Sequence, residues 1–168
     1  MELDSDPHIL LTNDDGIDAP GIRALYDALQ SVGTVTVVAP DRNRSAVGRS
    51  LSYGRTRSSP DDLSLDLEAD SFTSPVPHTD HELGYAVDGT PCDCAIVGVN
   101  AVEPDPDIVV SGCNSGANLG AYVFSRSGTV SAAMEAAFLE TPSIAVSMDT
   151  LGYDGELEPT DFERAAEI

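Results

Sequence analysis

Two aspartates stand side by side in Asn13-Asp14-Asp15-Gly16, directly after the short apolar run Ile9-Leu10-Leu11-Thr12. Adjacent carboxylates at the end of a buried strand repel each other unless a cation joins them. Hard oxygen donors select Mg²⁺ or Mn²⁺ over Zn²⁺, and Gly16 lets the backbone turn tightly beside such an ion. The local alternative is that Asp14 and Asp15 cap the next helix. The doubled acid and the glycine favour the cation.

Two further loops carry polar residues of useful types. Pro40-Asp41-Arg42-Asn43-Arg44-Ser45 opens a basic stretch: five of the eight arginines lie between Arg42 and Arg57, and no acid occurs from Arg42 to Ser59. Such a segment suits an anionic substrate, or else balances acid elsewhere on the surface. Ser45 offers a hydroxyl to metal or phosphate. Ser111-Gly112-Cys113-Asn114-Ser115-Gly116-Ala117-Asn118-Leu119-Gly120 is rich in small residues. Its backbone N–H groups can approach an anion, or it can simply turn. The helix expected after Ser127-Gly128-Thr129 points its positive end the same way.

Familiar alternatives fail. A GxxxxGK[ST] loop needs a lysine, and the chain has none. Gly112, Gly116 and Gly120 do not make GxGxxG, and GxSxG is absent. His8, His78 and His81 form no spaced ligand set, and His78 and His81 read as solvent-exposed. Cys92-Asp93-Cys94 has no second Cys or His pair to complete a metal site, and three cysteines make no disulfide framework. They read as small buried thiols. A phospho-aspartate hydrolase of the haloacid dehalogenase type would want Asp-x-Asp and a downstream lysine, and neither is present.

These loops need strands and helices to hold them. Residues 9–12 read as a buried parallel strand. Pro20 opens a helix with Ile22, Leu25, Tyr26, Leu29 and Val32 on one face, stopped by Gly33. Thr34–Ala39 is the second strand, ended by Pro40. Thr90 caps a helix from Pro91, with Cys92, Ala95, Ile96 and Val99 inward. Ile108-Val109-Val110 is a strand. A helix over Thr129–Leu139 carries Val130, Ala133, Met134, Ala137 and Phe138 on one side, and Ile144-Ala145-Val146 is another buried strand. The alternation predicts a single α/β domain over residues 1–168, a three-layer Rossmann-like arrangement with a mostly parallel sheet. Ser58–Gly84 is acidic and weakly patterned, and reads as a β-hairpin excursion with a mobile tip. Thr160-Asp161-Phe162-Glu163 has capping-box form. A helix starting there and stopping at Ile168 would be marginal alone, so the chain is expected to be truncated or completed by a partner.

Composition bounds the rest. Twenty-nine acidic residues face eight basic ones, all arginine, for a formal charge of −21. The acid is spread rather than blocked, which reads as a salt-adapted surface and argues against nucleic-acid binding. No run is long and apolar enough to span a membrane, and Met1–Pro7 lacks the features of a signal peptide. A soluble, cytoplasmic protein is expected.

Together the motifs resemble the SurE survival-protein phosphatases. The matching segments are 12–17, 19–21, 38–45, Gly89-Thr90-Pro91, Pro106–Gly112, Gly116–Gly120 and Ser127-Gly128-Thr129. The resemblance implies a metal-dependent 5′/3′-nucleotidase that hydrolyses nucleoside monophosphates, and some short polyphosphate, and that forms dimers or tetramers. It implies one Mg²⁺ or Mn²⁺ ion on Asp14, Asp15, Ser45 and Asn114, with Asp14 and Asp15 catalytic. It places the phosphate on Asn118, Ser127, Gly128 and Thr129. The segment between Gly120 and Ser127 is one residue longer than the family pattern and sets Arg126 beside Ser127. The composition suggests a halophilic archaeal member. The competing expectation is a non-catalytic nucleotide- or anion-binding domain.

If self-repulsion dominates stability, the melting temperature rises steadily as KCl goes from about 0.1 M to about 2 M. Calorimetry checks this, and a flat profile would contradict it.

Overall fold

The computed structural model describes residues 6–52 and 76–167. The expected excursion lies outside these residues up to position 75, as do Arg55 and Arg57.

Strand β1 (His8–Thr12) is buried along its whole length. Successive side chains on a strand point to opposite faces. Ile9 and Leu11 accordingly join a cluster with Ile22, Leu25 and Phe162, while Leu10 packs on the other side with Val38, Val87, Cys94 and Val109. The remaining strands are β2 (Thr34–Pro40), β3 (His78–His81), β4 (Gly84–Val87), β5 (Ile108–Ser115) and β6 (Ser143–Met148). They form one six-stranded sheet in the order β3-β4-β2-β1-β5-β6. Every neighbouring pair is parallel except β3 with β4. The β3–β4 hairpin at the sheet edge is the described end of the predicted excursion.

Helix α1 (Pro20–Leu29) packs on one face of the sheet, and α2 (Pro91–Ala101) and α4 (Gly128–Phe138) on the other. The result is the expected three-layer α/β fold. The chain leaves β1 toward β2 on one side, and β5 sits on the other side of β1. That places a switch point between β1 and β5, where open α/β sheets hold ligands beyond the strands' carboxyl ends. Short α3 (Gly120–Phe124) lies in the loop after β5.

Helix α2 starts where Thr90 predicts. The Asp93 N–H donates to Thr90 Oγ1 at 3.1 Å, and Thr90 N–H donates to Asp93 Oδ2 at 2.7 Å. Asp93 is fully buried and also accepts from Ser52 N–H at 3.0 and 3.1 Å. Cys92, Cys94 and Cys113 are free, buried thiols, as expected. Burial pushes Cys92 up to about 12 and Cys113 to about 11.

Several expectations need correction. Helix α1 ends at Leu29, so Val32 lies beyond it and is 56% exposed. Met134, Ala137 and Phe138 face outward, because α4 turns its small residues Ser131, Ala132 and Ala136 inward. Strand β6 is an edge strand, so Ile144 and Ala145 are exposed rather than buried. His81 is half-buried, its Nε2 3.2 Å from Asp18 Oδ1. The C-terminal capping box is formed by Glu158 and Asp161, not Thr160 and Glu163, and opens a 3₁₀ turn (Pro159–Phe162) before α5 (Glu163–Ala166). That end does not lack packing. Phe162 is 1% exposed and sits among α1 and β5 residues.

Phe162→Ala therefore removes a fully buried ring from the α1 side of the core. It should cost about 3–5 kcal/mol, read from the midpoint of urea unfolding in molar KCl. A loss under about 1 kcal/mol would mean that the C-terminal turn is not part of the core.

Candidate active site

The loop after β1 is built by Asn13, which is wholly buried. Its Nδ2 donates to Gly16 O at 2.8 Å, and Gly16 N–H donates back to Asn13 Oδ1 at 3.2 Å. Asn side chains close such turns readily. Gly16 has φ of +106°, and a Cβ there would stand 3.0 Å from the Arg42 backbone. Only glycine fits both conditions. Two backbone bonds then stitch the β1 and β2 loops together: Ile17 N–H to Pro40 O at 2.9 Å and Arg44 N–H to Asp14 O at 2.7 Å.

Asp14 points into the fold and is 3% exposed. Thr129 Oγ1 donates to its Oδ1 at 2.6 Å. Gly128 lies against it so closely that a Cβ would fall 2.6 Å from the Asp14 Cβ. Burial raises the Asp14 pKa above the usual carboxylate value; the Thr129 bond opposes this and the neighbouring Asp15 charge adds to it. An ionised Asp14 thus lacks enough positive charge around it.

Asp15 is half-buried and gathers donors from the end of β5 and the loop after β2. Ser115 N–H donates to Oδ2 at 3.1 Å, with Ser115 Oγ at 3.5 Å. Asn43 Nδ2 and Ser45 Oγ stand 3.4 and 3.5 Å from Oδ1. Asn114 adjoins Ser115 where the register of β5 against β6 shifts between Ser111 and Asn114. Its Nδ2 donates to Gly116 O at 2.5 Å, a bond that does not use the side-chain oxygen.

The structure thus brings Asp14, Asp15, Ser45, Gly128 and Thr129 together, with Asn114 one residue from the Ser115 contact. It adds Asn43 and Ser115, which sequence reasoning missed. Asn43 was visible as an Asx-turn residue: its Oδ1 accepts from Ser45 N–H at 2.8 Å. Two other expected side chains are engaged elsewhere. Asn118 Nδ2 donates to Ser147 Oγ at 2.7 Å on β6, and Ser127 Oγ accepts from Val130 N–H at 3.1 Å as the cap of α4.

The basic loop largely balances local acid. Arg42 and Arg44 both reach Asp88, at 3.0 and 2.7 Å, and both touch Asp41. Arg49 pairs with Glu135 at 2.7 Å. A cavity of about 510 Å³ opens beside Asp15, lined in part by Gly16, Asp18, Arg42 and Ser115.

Among the described residues, no three His, Cys, Asp or Glu side chains gather as a cation site. A cation here must be completed by neutral oxygens. Asp14, Asp15, Ser45 and Asn114 offer an all-oxygen set, which suits Mg²⁺ or Mn²⁺. A buried carboxylate beside a second one, with hydroxyl and amide oxygens at hand, is a donor set that fits such an ion.

A family model described as "Survival protein SurE" matches residues 9–168. The chain is 54% identical over 163 residues to the 5′-nucleotidase SurE of Natronomonas pharaonis, covering 94% of this chain and 55% of that one. It is 56% identical over 147 residues to the 5′-nucleotidase SurE of Halobacterium salinarum, covering 87% of this chain and 49% of that one. A crystal structure of the SurE protein from Aquifex aeolicus superposes with a TM-score of 0.72 at 42% identity, covering 95% of this chain and 56% of that one. The chain spans about half the length of these relatives.

Because the Asp14 pKa is raised, the folded state holds that proton more tightly than the unfolded chain. This contribution to stability is complete below the unfolded carboxyl pKa and is lost as pH rises through the folded value. With chelator present, Asp14→Asn should flatten the fall in melting temperature between about pH 4 and 7 relative to the parent. Calorimetry of both proteins checks this; a steeper fall in the variant would reverse the assignment.

Proposed function

The chain belongs to the SurE survival-protein family, and from that premise we propose that it is a metal-dependent phosphomonoesterase acting on nucleoside 5′- or 3′-monophosphates, and on short polyphosphate. The observation that carries this reading is the Asp14–Asp15 pair, with one carboxylate buried against Thr129 and the other ringed by Asn43, Ser45 and Ser115.

One Mg²⁺ or Mn²⁺ ion on Asp14, Asp15, Ser45 and Asn114 would, when bound, offset the charge on the phosphoryl oxygens and lower the pKa of a water. The chain's own residues do the rest. Asp14 is fixed by Thr129 and Gly128, so its carboxylate keeps one orientation. Asp15 faces the cavity and can orient or deprotonate the attacking water. Thr129 and the start of α4, an 11-residue helix, present the positive end of its dipole to the phosphate. Gly128 admits nothing larger beside Asp14. Beside their present bonds, Ser127 keeps its O–H and Asn118 a second N–H as donors for the phosphate.

No helix among the described residues is long and apolar enough to cross a membrane, which supports a cytoplasmic enzyme with no membrane partner. The charge of −21 disfavours a nucleic-acid polymer as partner. With relatives in Natronomonas and Halobacterium, it supports a halophilic archaeal source. A homodimer or homotetramer is the assembly we infer from the family.

In molar KCl with Mn²⁺, the protein should release phosphate from AMP or GMP, and Asp15→Asn should lower kcat/KM at least about 100-fold. Mn²⁺ should raise the melting temperature of the parent but not of Asp14→Asn. Mononucleotide binding by calorimetry with no phosphate release would instead identify a non-catalytic nucleotide-binding domain.

A further inference from the structure

The phosphate loop carries a cation that the reading above does not use. Arg126 directly precedes Ser127, the N-cap of α4. Gly128, two residues on, touches Asp14. Two residues span at most about 7 Å, a distance comparable to the reach of an arginine side chain. The Arg126 backbone is fixed at both ends: its N–H donates to Val123 O at 2.9 Å, and its carbonyl accepts from Gly48 N–H at 3.0 Å. The second bond ties it to the loop that supplies Asn43 and Ser45.

The guanidinium is poised but not neutralised. It stands 3.9 Å from the centre of the Tyr122 ring and donates from Nη1 to Tyr122 O at 3.2 Å. Arg23, Arg42, Arg44 and Arg49 each pair with a carboxylate, whereas among the described residues Arg126 has none, and neither has Arg164 on α5. Tyr122 is 73% exposed, so the pair sits in solvent beside the helix start. Meanwhile Ser127 and Asn118, two side chains expected on the phosphate, are bonded to α4 and β6. Each keeps a donor hydrogen, but neither carries positive charge; a guanidinium fork supplies that charge and matches the phosphoryl oxygens.

We propose that Arg126 is a substrate-binding residue: its guanidinium leaves the Tyr122 carbonyl to contact the phosphoryl oxygens of the bound phosphomonoester. This rests on the phosphatase reading only for its turnover assay, since binding of inorganic phosphate tests it without catalysis.

The competing role is structural, a surface cation–π pair that steadies α3. Arg126→Ala and Arg126→Lys should be compared with Tyr122→Leu, in Mn²⁺ and the lowest KCl that keeps each protein folded. Arg126→Ala should weaken inorganic phosphate binding by calorimetry, and raise KM for AMP, each about tenfold. Its kcat should stay within about twofold, and Arg126→Lys should recover part of the loss. Tyr122→Leu should leave phosphate affinity within about twofold.

Unchanged phosphate affinity and KM in Arg126→Ala would overturn the proposal, as would a parent protein that binds no phosphate. A melting-temperature loss shared by Arg126→Ala and Tyr122→Leu, with KM unchanged, would assign the structural role. A parent that binds phosphate but turns over no nucleotide would sink the nucleotidase reading. In that case the calorimetric difference between parent and Arg126→Ala still decides the residue's role.

Discussion

Two negative side chains share the end of β1, and one of them is buried. Charge of one sign in a poorly solvated place must be neutralised, protonated or bonded. The surrounding residues supply part of that compensation and no more. Thr129 bonds Asp14, and Ser115 N–H bonds Asp15, yet the Asp14 pKa remains raised. The proposed metal ion would supply the compensation these donors leave out, at the end of β1 where the sheet's switch point already leaves a crevice.

The scaffold around the pair follows from that demand. Asn13 and Gly16 close the turn at the carboxyl end of β1 that carries both carboxylates. Gly128 lets α4 begin in contact with Asp14, so the helix dipole and the acid meet without an intervening side chain. The Asp41–Arg42–Arg44–Asp88 network holds the β2 loop at the rim. Exposed ion pairs of this kind contribute little stability. Their use here is to keep Asn43 and Ser45 within reach of Asp15.

Much of this was legible in the residues. The short apolar runs at 9–12 and 108–110 are strands covered on both faces of the sheet, and 34–39 is a strand buried from Val37 onward. The Thr90-Pro91 start of α2 carries its cap in the chain itself. What misled was periodicity on α4 and β6. Met134, Phe138 and Ile144 repeat as core residues do, but a repeat does not say whether anything lies opposite it, and β6 is the sheet edge. In the site, Asp14 and Asp15 were legible because two adjacent acids after a strand are costly. The partners that Asn118 and Ser127 find within the fold, Ser147 and Val130, were not legible, because small polar residues have local partners that no spacing discloses. Ser115 was missed for the same reason, since its main contact is a backbone N–H.

The charge of the chain sharpens what remains. An anion approaching a surface at −21 meets repulsion that falls off within a Debye length at high salt. For the phosphate substrate proposed above, long-range attraction is therefore no help, and selection has to come from short-range contacts. Those contacts must be positive and unneutralised, or they would already be satisfied by the abundant carboxylates. Most of the described arginines fail that condition, because acids of the same surface hold them. In such a chain the distribution of unpaired positive charge is more informative than its total. Among the described residues, Arg126 beside the start of α4 and Arg164 on α5 are the arginines that no described carboxylate holds.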